Sequence, residues 1–594
     1  MTNVNFTDKE LKAIDRILKT INENPLPDDQ PGGVGVLVEK NAENTPNNTA
    51  LIFEDQRLSY DEFNRLSNRF ANHFLKMGAV KGQRCAVFLS PSMDYLVAIT
   101  GLAKIGVVSC LINNNLQKKS LAHAINIASP DYLVVHSVFA DVIKEIEDDI
   151  DCDTDLIWVW NNKESIDRET YHNLTAALTQ ASTENPPTTM NTQMGDLVSY
   201  IYTSGTTGFP KAVRVVAKTW IKTGYFAIAA AELESEDVCY APVTLYHGLS
   251  MVSWATALVL GATFVFSSRF SASRLMATVR KHGVTILMYI GEFPRYLLNQ
   301  PEKDNDRDNP LRKMIGMGMK ADLWQKIMDR FGIEQIIELY SATEGSGAIF
   351  NLDGKPGMLG RIYQPELQAL VKFDSDTDSF LRDESGHFIR CTQPGEGGVF
   401  IALLNDDNRF EGYTDENASE KKKLRDVFTE GDCWYNSGDL MKLNADGWIS
   451  FQDRLGDTFR WKSENVSTQE VESILLDFPV VELAAVYGVQ VGEMEGQAGM
   501  ASIVPRKELE WDWNAFASFT GENLPPYAIP RFIRLRSELL MTHTHKVRKV
   551  ELKNEGFDPS SIDDPLYFWN TEDNQYLPLT TEVFEKILSS DVRL

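Results

Sequence analysis

Residues Tyr202 to Val213 read YTSGTTGFPKAV, a stretch that concentrates groups able to hold phosphate. Gly205 and Gly208 let backbone amides converge on an anion, because glycine adopts conformations that other residues avoid. Thr203, Ser204, Thr206 and Thr207 add hydroxyl donors, and Lys211 adds a compact positive charge. Such a loop suits a triphosphate. It differs from the Gly-Lys-Ser/Thr phosphate loop, since Pro210 precedes Lys211 and Ala212 follows it. The flanking runs LVSYIY and AVRVV both read as strands, so the loop joins strand to strand and no helix dipole helps hold the anion. A polar hairpin turn is the alternative reading, because Gly, Ser and Thr are also ordinary turn residues.

The elements that must position this loop alternate strand and helix from about residue 50. Short apolar runs at Arg84 to Ser90, Val107 to Ile112, Tyr132 to Ser137 and Asp155 to Trp160 read as strands. Between them lie a helix with Pro91 at its first position, ending at Gly106, and another from about Lys118. The same grammar returns in ATFVFSS, in the helix SASRLMATVRKHG closing at Gly283, and in TILMYIGE. Strand, crossover and strand in repetition predict an α/β fold whose mostly parallel sheets are layered with helices. Gly248 to Phe266 is about long enough to span a bilayer, but Gly261 and the β-branched residues after it predict a buried helix turning into a buried strand. From about residue 355 turn residues rise, as in QPGEGG at Gln393 to Gly398, and predict a β-rich subdomain to about residue 454. Ser467 with Glu470 forms a capping box that opens a compact α+β domain over residues 455–594.

A chain of 594 residues holds roughly four structural units at about 150 residues each. With 43% hydrophobic and 24% charged residues it is an ordinary globular composition. The net charge of −26 excludes nucleic-acid binding through a general positive field. Local basic runs, Lys421 to Arg425 and His545 to Lys553, do not change that balance, and the first reads as a solvated face. The six cysteines are scattered without a CxxC pair, which predicts free thiols in a reducing compartment and no zinc site. The N-terminal residues carry acids throughout and no apolar core of signal-peptide type, so a cytoplasmic location is expected.

Further motifs follow the loop in order. They are GMGMK at Gly316 to Lys320, YSATEG at Tyr340 to Gly345, YNSGDL at Tyr435 to Leu440, DRLGDTFRWKSENVS from Asp453, and THTHKVRK at Thr542 to Lys549. Together they resemble the adenylate-forming superfamily of acyl-CoA synthetases, luciferases and peptide-synthetase adenylation domains. The stretches YIGEFPRYLLNQP, RFSASR, GDTFRWKSENVST and EGFDP are most similar to the very-long-chain acyl-CoA synthetases, also called the fatty acid transport protein family.

That resemblance, which covers nearly the whole chain from about residue 50, implies a large N-terminal domain over residues 1–454 that binds ATP and the acyl group, and a mobile C-terminal lid over 455–594. It implies that Tyr340, beside Ser341, stacks on adenine near Gly318, that Thr343 bonds the α-phosphate and that Glu344 holds Mg²⁺. It assigns the ribose to Asp439 and Arg454, the hinge to Gly456, support of adenylation to Lys546, and a gate or pocket wall to Tyr246 and His247. A hydrogen-bonded, partly buried histidine is the other reading of His247. Ser341, Ser437, Ser463 and His543 depart from the family pattern.

The activity so implied is conversion of a long- or very-long-chain fatty acid to acyl-CoA, using ATP, Mg²⁺ and coenzyme A and releasing AMP and pyrophosphate. A ligase for a bulky steroid or bile acid and a non-catalytic fatty-acid carrier on the same scaffold are the rival readings. No N-terminal membrane anchor is read, and the expectations leave room for peripheral membrane contact and a homodimer.

Overall fold

The structure is a computed structural model that describes residues 6–161, 171–203, 210–291, 293–344, 347–374, 377, 379–455, 459–461, 464–492, 494, 496–541, 547–589 and 592. The chain forms two compact units, one of Val4–Arg361 with Leu403–Leu424 and one of Ile362–Ala402 with Arg425–Leu594. This division differs from a single cut at residue 454.

The first unit contains two large sheets. One has seven strands in the order His172–Asn173, Ile157–Trp160, Tyr132–His136, Arg84–Phe88, Val108–Leu111, Leu197–Thr203 and Lys211–Val216. Every neighbouring pair is parallel except the last, in which the two strands read from the sequence on either side of the loop pair antiparallel. Tyr132–His136 and Val108–Leu111 are buried at every position, as strands covered on both faces require. The other sheet runs from Gln56–Ser59 through Thr49–Phe53, Thr263–Phe266, Val238–Ala241, Ile286–Ile290, Lys313–Met317, Gln335–Ser341 and Ala348–Asn351 to Gly360–Arg361. It is parallel in its centre and antiparallel at its two ends.

The apolar window behaves as the sequence predicts. Helix Gly248–Leu260 ends at Gly261 with a φ of 69°, and strand Thr263–Phe266 follows. Among the described residues no helix is long and apolar enough to cross a membrane. One local expectation fails: the helix after Arg84–Phe88 begins at Met93, because the chain is still extended at Ser92, so Pro91 precedes the helix instead of opening it.

In the second unit, strands Gln368–Val371, Gly397–Leu403, Cys433–Leu443 and Trp448–Arg454 lie side by side, the β-rich character expected of this stretch. The C-terminal residues form a five-stranded sheet, Val481–Val489, Ala498–Pro505, Phe532–Leu535, Leu566–Asn570 and Gln575–Pro578, with an apolar core of its own. Ser467 caps helix Thr468–Leu476 by accepting from the Glu470 amide at 3.3 Å.

Candidate active site

Thr203 and Lys211 face each other across the last pair of the hairpin, so the two ends of the phosphate-type loop are pinned in antiparallel register. A segment distant in sequence extends this edge. The Arg214 amide donates to the Gly412 carbonyl at 2.9 Å and the Thr414 amide to that of Ala212 at 3.0 Å. Tyr413, between them, is 4% exposed. Its hydroxyl donates to Glu344 Oε1 at 2.6 Å, while Lys211 Nζ lies 5.7 Å from its ring centre. Lys211 and Glu344, which the sequence separates widely, are therefore joined through one aromatic side chain.

Strand Gln335–Ser341 delivers the next group. Tyr340 and Ser341 close the strand, and Thr343 and Glu344 follow in the turn before Ala348–Asn351. A Cβ added to Gly248 would stand 3.7 Å from Thr343 Oγ1, so the threonine lies beside the first turn of helix Gly248–Leu260. His247 caps that helix, its Nδ1 accepting from the Leu249 amide at 3.1 Å, which leaves the proton of a neutral ring on Nε2. Tyr246 is buried and its hydroxyl accepts from Asn115 Nδ2 at 3.2 Å.

The glycine segment Gly316 to Gly318 packs against the end of strand Ile286–Ile290. A Cβ on Gly316 would fall 2.1 Å from the Tyr289 carbonyl oxygen, and Gly318, with φ at 92°, would place one 3.1 Å from Gly291 Cα. Glu338, 3% exposed, holds this turn from beneath. Its carboxylate receives the Tyr289 hydroxyl and the Gly318 amide, and the Met319 amide lies 3.2 Å from each oxygen.

In the second unit Asp439 and Arg454 pair across strands Cys433–Leu443 and Trp448–Arg454, Arg454 Nε being 3.3 Å from Asp439 Oδ1. Ser437, where the family pattern has Thr, donates to the Phe400 carbonyl at 2.7 Å and accepts from the Asp439 amide at 3.0 Å. A hydroxyl is what this position requires, and serine supplies it. Ser204, Gly205, Thr206, Thr207, Gly208, Gly456, Ser463, His543 and Lys546 lie outside the described residues.

Comparison with known proteins bears on this arrangement. The profile of the AMP-binding enzymes matches residues 38–396, and that of the AMP-binding enzyme C-terminal domain matches residues 470–546. The chain belongs to the AMP-binding enzyme family. It is 36% identical over 558 residues to long-chain fatty acid transport protein 6 of Mus musculus, across 92% of this chain and 89% of that one. It is 35% identical over 556 residues to the medium/long-chain-fatty-acid–CoA ligase FadD6 of Mycobacterium tuberculosis, across 93% and 91% of the two chains. Among solved structures, an anthranilate CoA ligase in complex with anthranoyl-AMP superposes with a TM-score of 0.75 at 22% identity, covering 90% of this chain and 98% of that one, which shows a shared fold.

In an AMP-binding enzyme a Mg²⁺ accompanies the nucleotide, and the residues present fit it. Glu344 is half-buried, one oxygen is held by Tyr413, and Oε2 makes no hydrogen bond among the described residues. Among those residues no group of three or more His, Cys, Asp and Glu is gathered into a cage. A single carboxylate completed by phosphate and water is how proteins commonly hold this ion.

Neither Tyr413 nor Glu338 is among the residues read from the sequence. Glu338 sits two positions before Tyr340, and alternation along the strand places both on one face, which was the available signal. Burial pushes the Glu338 carboxyl up to about 8, against the hydrogen bonds from Tyr289, Gly318 and Met319, which act to lower it. The folded protein then keeps a proton that an unfolded chain, with an ordinary value of 4.5, has released. Stability from this group is full below 4.5 and is lost as pH rises toward 8, by at most about 1.4 kcal/mol per pH unit. Glu338→Gln, uncharged and of the same shape, removes that dependence. Denaturant midpoints measured from pH 6 to 9 should fall more steeply for the wild type than for Glu338→Gln, and parallel curves would overturn the assignment.

Proposed function

We propose that this protein is an AMP-forming ligase that activates medium- to long-chain fatty acids as coenzyme A thioesters. In the first half-reaction the fatty carboxylate attacks the α-phosphorus of ATP, forming the acyl-phosphate bond and expelling pyrophosphate. In the second the CoA thiol attacks the acyl carbonyl, loses its proton, and expels AMP. The observation that carries this reading is the convergence of Lys211 and Glu344 on Tyr413 at the mouth of the phosphate-type hairpin, in a chain similar over nine-tenths of its length to a fatty-acid–CoA ligase.

The chain's own residues divide the work. The hydroxyls Thr203, Ser204, Thr206 and Thr207 with the amides of Gly205 and Gly208 cradle the β- and γ-phosphates, and Lys211 neutralises charge there. Thr343 bonds the α-phosphate. Tyr340 stacks on adenine against the turn at Gly318, Ser341 lying at the strand end, and Asp439 with Arg454 takes the ribose hydroxyls. Glu344 would hold Mg²⁺, which when bound offsets the charge spreading over the phosphate oxygens. Lys546 adds positive charge during the first step, and the C-terminal domain, turning at Gly456, removes it before the second. Tyr246 and His247, packed at the start of a buried apolar helix, border the acyl path. The cytoplasmic location expected from the N-terminal residues is part of this proposal, and because long acyl chains partition into lipid the proposal includes peripheral contact with a membrane.

The test is mass-spectrometric detection of acyl-CoA and AMP from purified protein given ATP, Mg²⁺, CoA and acids from short to very long chain, plus a bile acid. Products with medium or long acids support the proposal. Products with the bile acid alone move it to a steroid-acid ligase, and no product with any acid moves it to a carrier.

A further inference from the structure

Tyr413 is held in place by its own segment. Its amide donates to Ser419 Oγ at 2.8 Å, and that hydroxyl is anchored on the Asp415 carbonyl at 2.8 Å. Asp415 caps helix Glu416–Glu420 through the Asn417 and Ala418 amides at 2.9 and 3.2 Å. Gly412 has a φ of 80°, and a Cβ there would come within 2.8 Å of Ser419 Oγ, so the glycine permits the close return of the helix onto the tyrosine. The turn, the helix and the two hydrogen bonds to the hairpin edge leave the Tyr413 ring little freedom.

Two functional charges meet this ring. Its hydroxyl donates to Glu344 Oε1, and its face lies within cation–π range of Lys211 Nζ. Lys211 and Glu344 form no ion pair with each other within 4.0 Å. A side chain that satisfies both charges without cancelling either keeps the ammonium for phosphate and one carboxylate oxygen for metal.

We propose that Tyr413 is a positioning residue of the nucleotide site. Its hydroxyl restrains the Glu344 carboxylate so that Oε2 is the oxygen presented to the Mg²⁺ of Mg·ATP, and its ring seats Lys211 beside the same phosphates. The inference rests on the reading of Glu344 as the metal-holding carboxylate.

Equilibrium binding tests it without any turnover. The full-length wild type, Tyr413→Phe, Glu344→Gln and the double variant are titrated calorimetrically with Mg·ATP, and with ATP in the presence of EDTA, with no acid or CoA. Tyr413→Phe keeps the ring, so packing and the cation–π contact survive while one hydrogen bond to a charged group is lost. It should weaken Mg·ATP binding about tenfold, the ordinary worth of such a bond, and metal-free ATP binding by less than about twofold. The double variant should bind Mg·ATP no more weakly than Glu344→Gln alone, since the hydroxyl acts through that carboxylate. Equal losses with and without metal, no loss at all, or losses that add in the double variant would each overturn the inference. If Glu344→Gln binds Mg·ATP as the wild type does, or the wild type binds none, the reading of Glu344 falls and the inference with it. If Glu344→Gln weakens binding and Tyr413→Phe does not, the inference alone falls.

Discussion

Replacing Glu344 by alanine is expected to lower acid-dependent pyrophosphate release by about 10²–10³-fold, the several kcal/mol that a positioned metal ion supplies to a phosphoryl-transfer transition state. Glu344 is half-buried and follows the strand in a turn, so its removal opens no core cavity. What it does remove is the acceptor of the Tyr413 hydroxyl and, on the proposed reading, the hard oxygen that would hold Mg²⁺. The loss should fall on the first half-reaction, measured as ATP–pyrophosphate exchange, and should be relieved in part by Glu344→Asp at raised Mg²⁺, since the shorter carboxylate still offers an oxygen. Thermal midpoints should differ little between the variants. A loss below about fivefold, or one that appears only in the second half-reaction, would remove Glu344 from the adenylation step.

Lys546→Ala should separate the two half-reactions. A lysine that lends charge only while the adenylate forms is worth about 10²–10³-fold there, the scale of one preorganised electrostatic contact to a developing anion. On the proposed reading it should contribute nothing when the thiol displaces AMP. Supplied with synthetic acyl-adenylate and CoA, the variant should therefore form thioester within a few-fold of the wild-type rate, while acyl-adenylate formation from ATP and acid nearly disappears. Equal losses in both half-reactions would mean that Lys546 supports the fold or binds both ligands, and would remove the argument that the C-terminal domain serves the two steps in turn.

Much of the fold was legible because its signals are local. The continuous apolar runs of Tyr132–His136 and Ile286–Ile290 identify strands covered on both faces, and the glycines after Leu260 and His282 mark where helices stop. The apolar window from Gly248 to Phe266 could be told from a membrane span because Gly261 and the β-branched residues after it signal a helix giving way to a strand, and in the structure Gly261 does take a positive φ between the two. Pro91 misled because its preference for the first helical turn does not exclude a place just outside it.

Of the candidate site, the sequence by itself determined the chemical inventory: a strand–loop–strand rich in hydroxyls and glycine with Lys211 at its exit, the Thr343–Glu344 pair at the end of a strand, and Asp439 with Arg454. The loop follows from residue type and short spacing, and the two pairs follow from the resemblance of their segments to the family's motifs. Only the tertiary structure decided which of them meet, and through what. Glu338 reaches across 49 positions to Tyr289 and across 20 to Gly318, and Tyr413 across 69 to Glu344. No periodicity encodes such pairings, because they depend on which strands become neighbours in the sheet and on a loop returning to the edge at Arg214. His247 shows the same division in one residue. The resemblance implied a gate or pocket wall, and the structure adds that it caps a buried helix, since an amide at a helix N-terminus seeks an acceptor and the imidazole nitrogen is within reach.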